Sequence, residues 1–261
     1  MEVVAPDGVA LHVEVEGSGE PVTVLAHGLT NSCMELAAFT PFLAGTKVRF
    51  CFRGHGHSGR AAPDRYGFAD YAGDLRSVAD ATGATRAVGT SLGAGALTRL
   101  LSSTPDRFDR LVFLLPASFD APVTGHPLSL RVAELLETYP KDEAIARILR
   151  ESGRDRSYED NPGLREFDLL LWQDLDPRGV AEAIRGIIGE VAAPDPQALA
   201  AVTAPALVIA REGDGLHPMA AARALVATLP DAELIELASE ADLLASIPVL
   251  LDRVTAFLAP G

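Results

Sequence analysis

The tightest constraint in this chain is Gly89-Thr90-Ser91-Leu92-Gly93, which follows the short apolar run Arg86 to Gly89 and opens directly into an Ala/Leu-rich segment. A strand that turns at once into a helix leaves little room for side chains at the corner, and glycines two places either side of a serine meet that demand. The serine is then forced into a strained turn with its hydroxyl projecting outward. A hydroxyl is a poor nucleophile near neutral pH unless an imidazole takes its proton. The supply of that imidazole is therefore the second question put to the sequence.

Around this corner, short β-type runs alternate with helical segments, an order that predicts an α/β fold with a mostly parallel central sheet covered by helices on both faces. Residues 9 to 16 alternate apolar and polar side chains and predict an edge strand. Val22 to Ala26, Val48 to Phe52, Arg86 to Gly89, Leu111 to Leu115, Ala206 to Ala210 and Leu234 to Leu237 predict further strands. Ser32-Cys33-Met34-Glu35 has capping-box spacing, so a helix is expected from about Glu35 to Leu43. Helices are also expected over Phe68 to Asp80, Leu92 to Ser103 and Val249 to Leu258. Between Leu115 and Ala206 no convincing strand occurs. Four stretches there, Leu128 to Thr138, Asp142 to Glu151, Leu164 to Trp172 and Val180 to Glu190, have apolar spacing near that of a helix. The expected organisation is a core of residues 1–120 and 196–261 with a helical cap over residues 121–195.

Composition narrows the partners. With Asp and Glu at 36 against 22 Lys and Arg, the net charge of −14 repels polyanions, so no nucleic-acid partner is expected. No apolar run approaches bilayer-spanning length and the first residues lack a leader's pattern, which predicts a cytoplasmic protein without membrane attachment. Cys33 and Cys51 read as two buried thiols, no metal-ligand spacing is evident, and neither cofactor nor metal is expected. The expected partner is a small molecule, with oligomeric state left open.

Taken together, His27-Gly28-Leu29, Arg53-Gly54-His55-Gly56-His57-Ser58, Asp74-Leu75, the corner at Ser91, and Pro205-Ala206-Leu207-Val208-Ile209 leading to Asp214 and Pro218 resemble the α/β-hydrolase superfamily. The likeness spans nearly the whole chain and is nearest to the lidded esterase, lactonase and epoxide-hydrolase branch. It implies Ser91 as nucleophile, the backbone N–H groups of Leu29 and Leu92 as oxyanion donors, and His27 and Gly28 as site-lining residues. For the acid it implies Asp214, with Asp120 as an alternate position and Glu212 as a third choice.

The resemblance also places a histidine in the loop after the last strand, where this chain has Asp242 instead. Asp242 is therefore the candidate at the base position, although an ordinary carboxylate is a feeble base toward a serine hydroxyl. A base recruited from elsewhere would be His217, beside the acid loop, or His126, at the start of the cap; each reads more readily as noncatalytic. His27 and His55 resemble structural or site-lining positions, and His55 with His57 lacks a third metal ligand. The expected function is a serine hydrolase of esterase or lactonase type, acting on a small uncharged substrate with atypical or weakened base chemistry. The alternative is a ligand-binding protein that kept the pocket after losing its base.

Overall fold

In the computed structural model, which describes residues 1–123, 127–155, 158 and 162–260, eight strands form one sheet in the order β1-β2-β4-β3-β5-β6-β7-β8. These strands are β1 (Glu2–Val4), β2 (Ala10–Glu16), β3 (Val22–Ala26), β4 (Thr46–Phe50), β5 (Arg86–Thr90), β6 (Arg110–Leu114), β7 (Ala206–Arg211) and β8 (Ala232–Leu237). β1 pairs antiparallel with β2, and β2 antiparallel with β4. From β4 through β8 every pairing is parallel, with Ala26 opposite Gly89 and Gly89 opposite Phe113 in the register around the corner.

Side-chain alternation along the strands divides the core between the two faces of the sheet. Val24, Ala87, Phe113 and Val208 join one cluster with Leu75 of helix α1 (Phe68–Thr82) and Leu97 of α2 (Leu92–Leu101). Their neighbours Leu25, Val88, Val112 and Leu207 join the opposite cluster with Leu36, Leu43, Val254 and Leu258. Strands buried on both faces explain why the sequence shows short apolar runs rather than alternation everywhere except β2.

Between β6 and β7 lie α3 (Pro127–Thr138), α4 (Lys141–Ser152), α5 (Pro162–Trp172) and α6 (Pro177–Ile187). Their apolar stripes make a third cluster from Ala133, Leu136, Ile148, Val180 and Ile184, and Leu29 from the loop after β3 packs against it. The inserted helices thus lie over the ends of the central strands. Helix α7 (Met219–Thr228) follows β7, and α8 (Glu240–Phe257) follows β8.

Several local expectations change. The segment after Glu35 forms a 3-10 helix, Ala37–Phe42, with Pro41 inside it; Ser32 accepts the Met34 N–H at 3.3 Å, but Glu35 turns away from the capping arrangement. β1 and α7, whose residues show little periodic contrast, are both formed, and β1 takes the edge position expected of residues 9 to 16. The terminal helix begins at Glu240 rather than Val249, because Ser239 Oγ accepts the Asp242 N–H at 3.1 Å and caps it. The two cysteines are buried and free. Among the described residues no helix is long and apolar enough to cross a membrane.

One buried ion pair ties these layers together. Arg53, 1% exposed, donates from Nη2 to Asp74 Oδ1 on α1 at 2.6 Å and from Nη1 to Asp7 Oδ2 at 2.7 Å. Removing Arg53 leaves the fully buried Asp74 carboxylate without its ion-pair partner. Arg53→Ala is expected to lower unfolding free energy by about 3 to 5 kcal/mol, read from urea denaturation.

Candidate active site

Ser91 sits between β5 and α2 with φ 49° and ψ −103°, a backbone conformation that non-glycine residues rarely adopt. Packing dictates it. A β-carbon on Gly89 would lie 2.5 Å from the Gly93 carbonyl oxygen, and one on Gly93 would collide with the carbonyl of Ala26 on β3. Backbone bonds then fix the corner: Ser91 N–H donates to Leu114 O at 2.9 Å and Gly93 N–H to His27 O at 3.1 Å.

The Ser91 hydroxyl meets an imidazole. His217 Nε2 lies 2.9 Å from Ser91 Oγ, and His217 Nδ1 lies 3.0 Å from Asp214 Oδ2. A carboxylate only accepts, so Nδ1 carries the proton toward Asp214 and Nε2 presents its lone pair to the serine O–H. The same short loop builds both arms, since Asp214 Oδ1 accepts the N–H groups of Leu216 at 3.0 Å and His217 at 3.2 Å. Arg211 Nη2 reaches Asp214 Oδ2 at 2.9 Å, and the Asp214 side chain is only 5% exposed. Burial alone would raise the Asp214 carboxyl, but the bond and charge of His217, the Leu216 N–H and Arg211 hold it down to about 2.

These groups open into a cavity of about 450 Å³. Gly28, Leu29, Leu92 and Phe68 line it from the core side, and Ile184 and Ile187 of α6 line it from the insertion. The Leu92 N–H belongs to the first turn of α2, whose donors have no partner within the helix. Thr30, next to Leu29, has φ 70°.

Glu35, whose spacing from Ser32 predicts only a capping role, also lines the cavity. Its Oε2 accepts the Gly28 N–H at 2.6 Å, and its Oε1 accepts from Asn31 Nδ2. Burial pushes this carboxyl up to about 6, with the Gly28 N–H, Asn31 and the charge of His217 limiting the rise.

The other candidates lie elsewhere. Asp242 is exposed in the first turn of α8 and does not line the cavity, so the place beside Ser91 Oγ that it was expected to fill is held by His217. Asp120 is exposed, and Glu212 is exposed and bonded to Arg223. His27 is buried behind Gly28 rather than at the cavity wall: its Nδ1 bonds the Gly28 carbonyl at 2.8 Å and its Nε2 accepts the Phe52 N–H at 3.0 Å. Burial, aided by neighbouring His55, depresses His27 to about 3. His55 is buried too and is held near 4 by burial. His126 lies outside the described residues. The signal for His217 was the spacing Asp214-Gly-Leu-His217, in which an aspartate that accepts backbone N–H groups two and three residues on folds the histidine back upon itself.

With this geometry in place, the chain belongs to the α/β-hydrolase fold family, whose profile matches residues 24–243. Over 238 residues, 87% of each chain, it is 29% identical to a Caulobacter vibrioides protein named "Putative carbamate hydrolase RutD". A hydrolase from Pseudomonas aeruginosa PA01 superposes with a TM-score of 0.79 at 22% identity, covering 100% of this chain and 98% of that one. The enol-lactonase from Burkholderia xenovorans LB400 gives 0.81 at 21% identity, covering 99% of both chains. At these identities the two structures speak for the shared fold.

The depressed Asp214 carboxyl has a consequence for acid stability. A carboxyl held below its usual 3.8 stabilises the folded state above that value, and the contribution is lost as pH falls toward 2. Wild type should therefore exceed Asp214→Asn by on the order of 2 kcal/mol near pH 5. The gap is expected to close between pH 4 and 2 when the two proteins are compared by chemical denaturation across that range.

Proposed function

We propose that this protein is a serine hydrolase of esterase or lactonase type, acting on small substrates that enter the cavity between the core and the inserted helices. The observation that carries the reading is the continuous chain from Ser91 Oγ through His217 to Asp214, at 2.9 and 3.0 Å. Hydrogen-bond reach between nucleophile and base, with the base oriented by a third group, is the arrangement that activates a serine hydroxyl. The names of the relatives, a carbamate hydrolase and an enol-lactonase, agree with acyl chemistry on this scaffold.

Ser91 Oγ attacks the carbonyl carbon while His217 Nε2 takes its proton, and Asp214 holds the imidazolium that results. The negative charge that develops on the carbonyl oxygen is received by the N–H groups of Leu29 and Leu92, the latter aided by the N-terminal end of α2. Collapse of this intermediate expels the alcohol oxygen, which His217 protonates. Water then attacks the acyl group on Ser91, giving its proton to His217, and the carboxylic acid leaves as the serine is restored. Asp242 has no part in this sequence, and the base is an ordinary imidazole reached by an unusual route. The rival reading, a binding protein that lost its base, rested on a missing imidazole, and His217 supplies one.

A fluorophosphonate is expected to label wild type at one site and to fail on Ser91→Ala. With p-nitrophenyl butyrate as substrate, His217→Ala should lose turnover by a factor on the order of 10⁶, as removal of a triad base does. Asp242→Asn should change it by less than about threefold, since exposed substitutions away from a site have small effects. Ester turnover that survives His217→Ala but not Asp242→Asn would reverse the assignment of the base.

A further inference from the structure

The cavity wall carries one feature that the triad chemistry does not use. Glu35 is the sole acidic side chain among the described residues that line the cavity, and no lysine or arginine lines it. The remaining wall is largely apolar, built from residues such as Leu29, Phe68, Val123, Ile184 and Ile188. The carboxylate is close to the chemistry. A β-carbon placed on Gly28 would lie 3.3 Å from Glu35 Oε1 and 3.5 Å from Ser91 Cβ, so one glycine separates the acid from the nucleophile.

Two donors already hold Glu35, the Gly28 N–H at Oε2 and the Asn31 amide at Oε1. An ionised carboxylate has about four acceptor positions, so two donors leave capacity for more. A residue needed only to brace the loop from Gly28 to Asn31 could do so as a neutral amide. A full charge in a cavity lined by no lysine or arginine does something a brace does not: it repels an anion and attracts a cation or an N–H donor across a low-dielectric gap.

We propose that Glu35 is a specificity-determining residue, which makes the cavity select substrates carrying an ammonium or other N–H donor group near the acyl carbon and reject anionic ones. This deepens the hydrolase reading and rests on it for the reaction, while the selection itself is a matter of binding. The groups facing Glu35 are the Gly28 N–H, the Asn31 amide and, from the acid loop, His217. Its protonation near pH 6 would remove the selecting charge.

The test uses three probes of one shape, benzylamine, benzyl alcohol and benzoate, titrated calorimetrically into the full-length protein at pH 7.5. Wild type is expected to bind benzylammonium at least about tenfold more tightly than benzoate, with the alcohol between them, a difference of about 1.4 kcal/mol. Glu35→Gln keeps an acceptor for the Gly28 N–H but no charge, and should bring the three affinities within about threefold. The wild-type preference should also weaken as pH falls through about 6, and the same scan on Glu35→Gln reports what His217 contributes. Equal or reversed affinities in wild type would overturn the proposal without any variant. So would a preference that persists undiminished in Glu35→Gln. Retained ester turnover with no such preference sinks the selection alone, and a clear preference with no turnover of any ester sinks the hydrolase reading alone.

Discussion

The backbone contact between Gly93 and Ala26 is the constraint on which the rest of the site depends. At this point α2 approaches β3 so closely that a single methyl group would collide with the Ala26 carbonyl, and Gly89 meets the Gly93 carbonyl in the same way. That approach leaves Ser91 no ordinary turn, and its positive φ stores strain of about 1 to 3 kcal/mol. The surrounding bonds over-determine the strained state: β6 accepts from the Ser91 N–H, and the carbonyl of His27 accepts from Gly93. Because His27 also starts the loop carrying Gly28 and Leu29, Ser91 and the loop proposed to hold the oxyanion are fixed to one another by backbone, not by flexible side chains.

Asp214 and His217 are organised on a different principle, that of short range. Asp214 and His217 are three residues apart, and a single carboxylate orders both the backbone between them and the ring itself. Little loop entropy is spent in bringing them together, because few residues are closed. The cost is that one short loop must satisfy two demands at once, and Arg211 meets part of it by adding a second ion-pair partner to Asp214. The imidazole that reaches Ser91 comes from after β7, and the segment after β8 does not approach it. Ser239 caps it and α8 begins at once, carrying Asp242 out into solvent.

This division explains what could be read in the residues themselves. The parallel strands were legible because their runs are short, apolar and bounded by turn formers, and the inserted helices because their stripes recur at helical spacing. Ser91, Gly28, Leu29, Leu92 and Asp214 were legible because each sits at a strand end, and they gather at one cavity or beside it. The imidazole beside Ser91 was not expected at His217 because the resemblance places it in a separate loop, whereas a turn of four residues brings His217 to Ser91 Oγ. Glu35 was misread for a related reason. Its spacing from Ser32 matches a local cap, yet Gly28, seven residues away, offers its N–H to the carboxylate once the chain folds back. β1 and α7 carry too little periodic contrast to stand out, β1 because it has three residues and α7 because it is mostly alanine.

Glu35 and Asp214 illustrate how the same chemical group takes opposite characters in one site. Asp214 accepts two backbone N–H groups, the His217 ring and Arg211, and is held as a strong acid. Glu35 has one backbone donor, one amide and the more distant charge of His217, and burial dominates. A carboxylate so poorly compensated costs folding energy whenever it is ionised, because its folded state holds the proton more tightly than the unfolded chain does. Such a cost persists in a functional cavity where the charge is used. In the proposed reaction His217 becomes positively charged as Ser91 attacks, and that charge then faces two carboxylates rather than one. In that reaction Glu35 and Asp214 therefore act on the same imidazolium, and in the same direction.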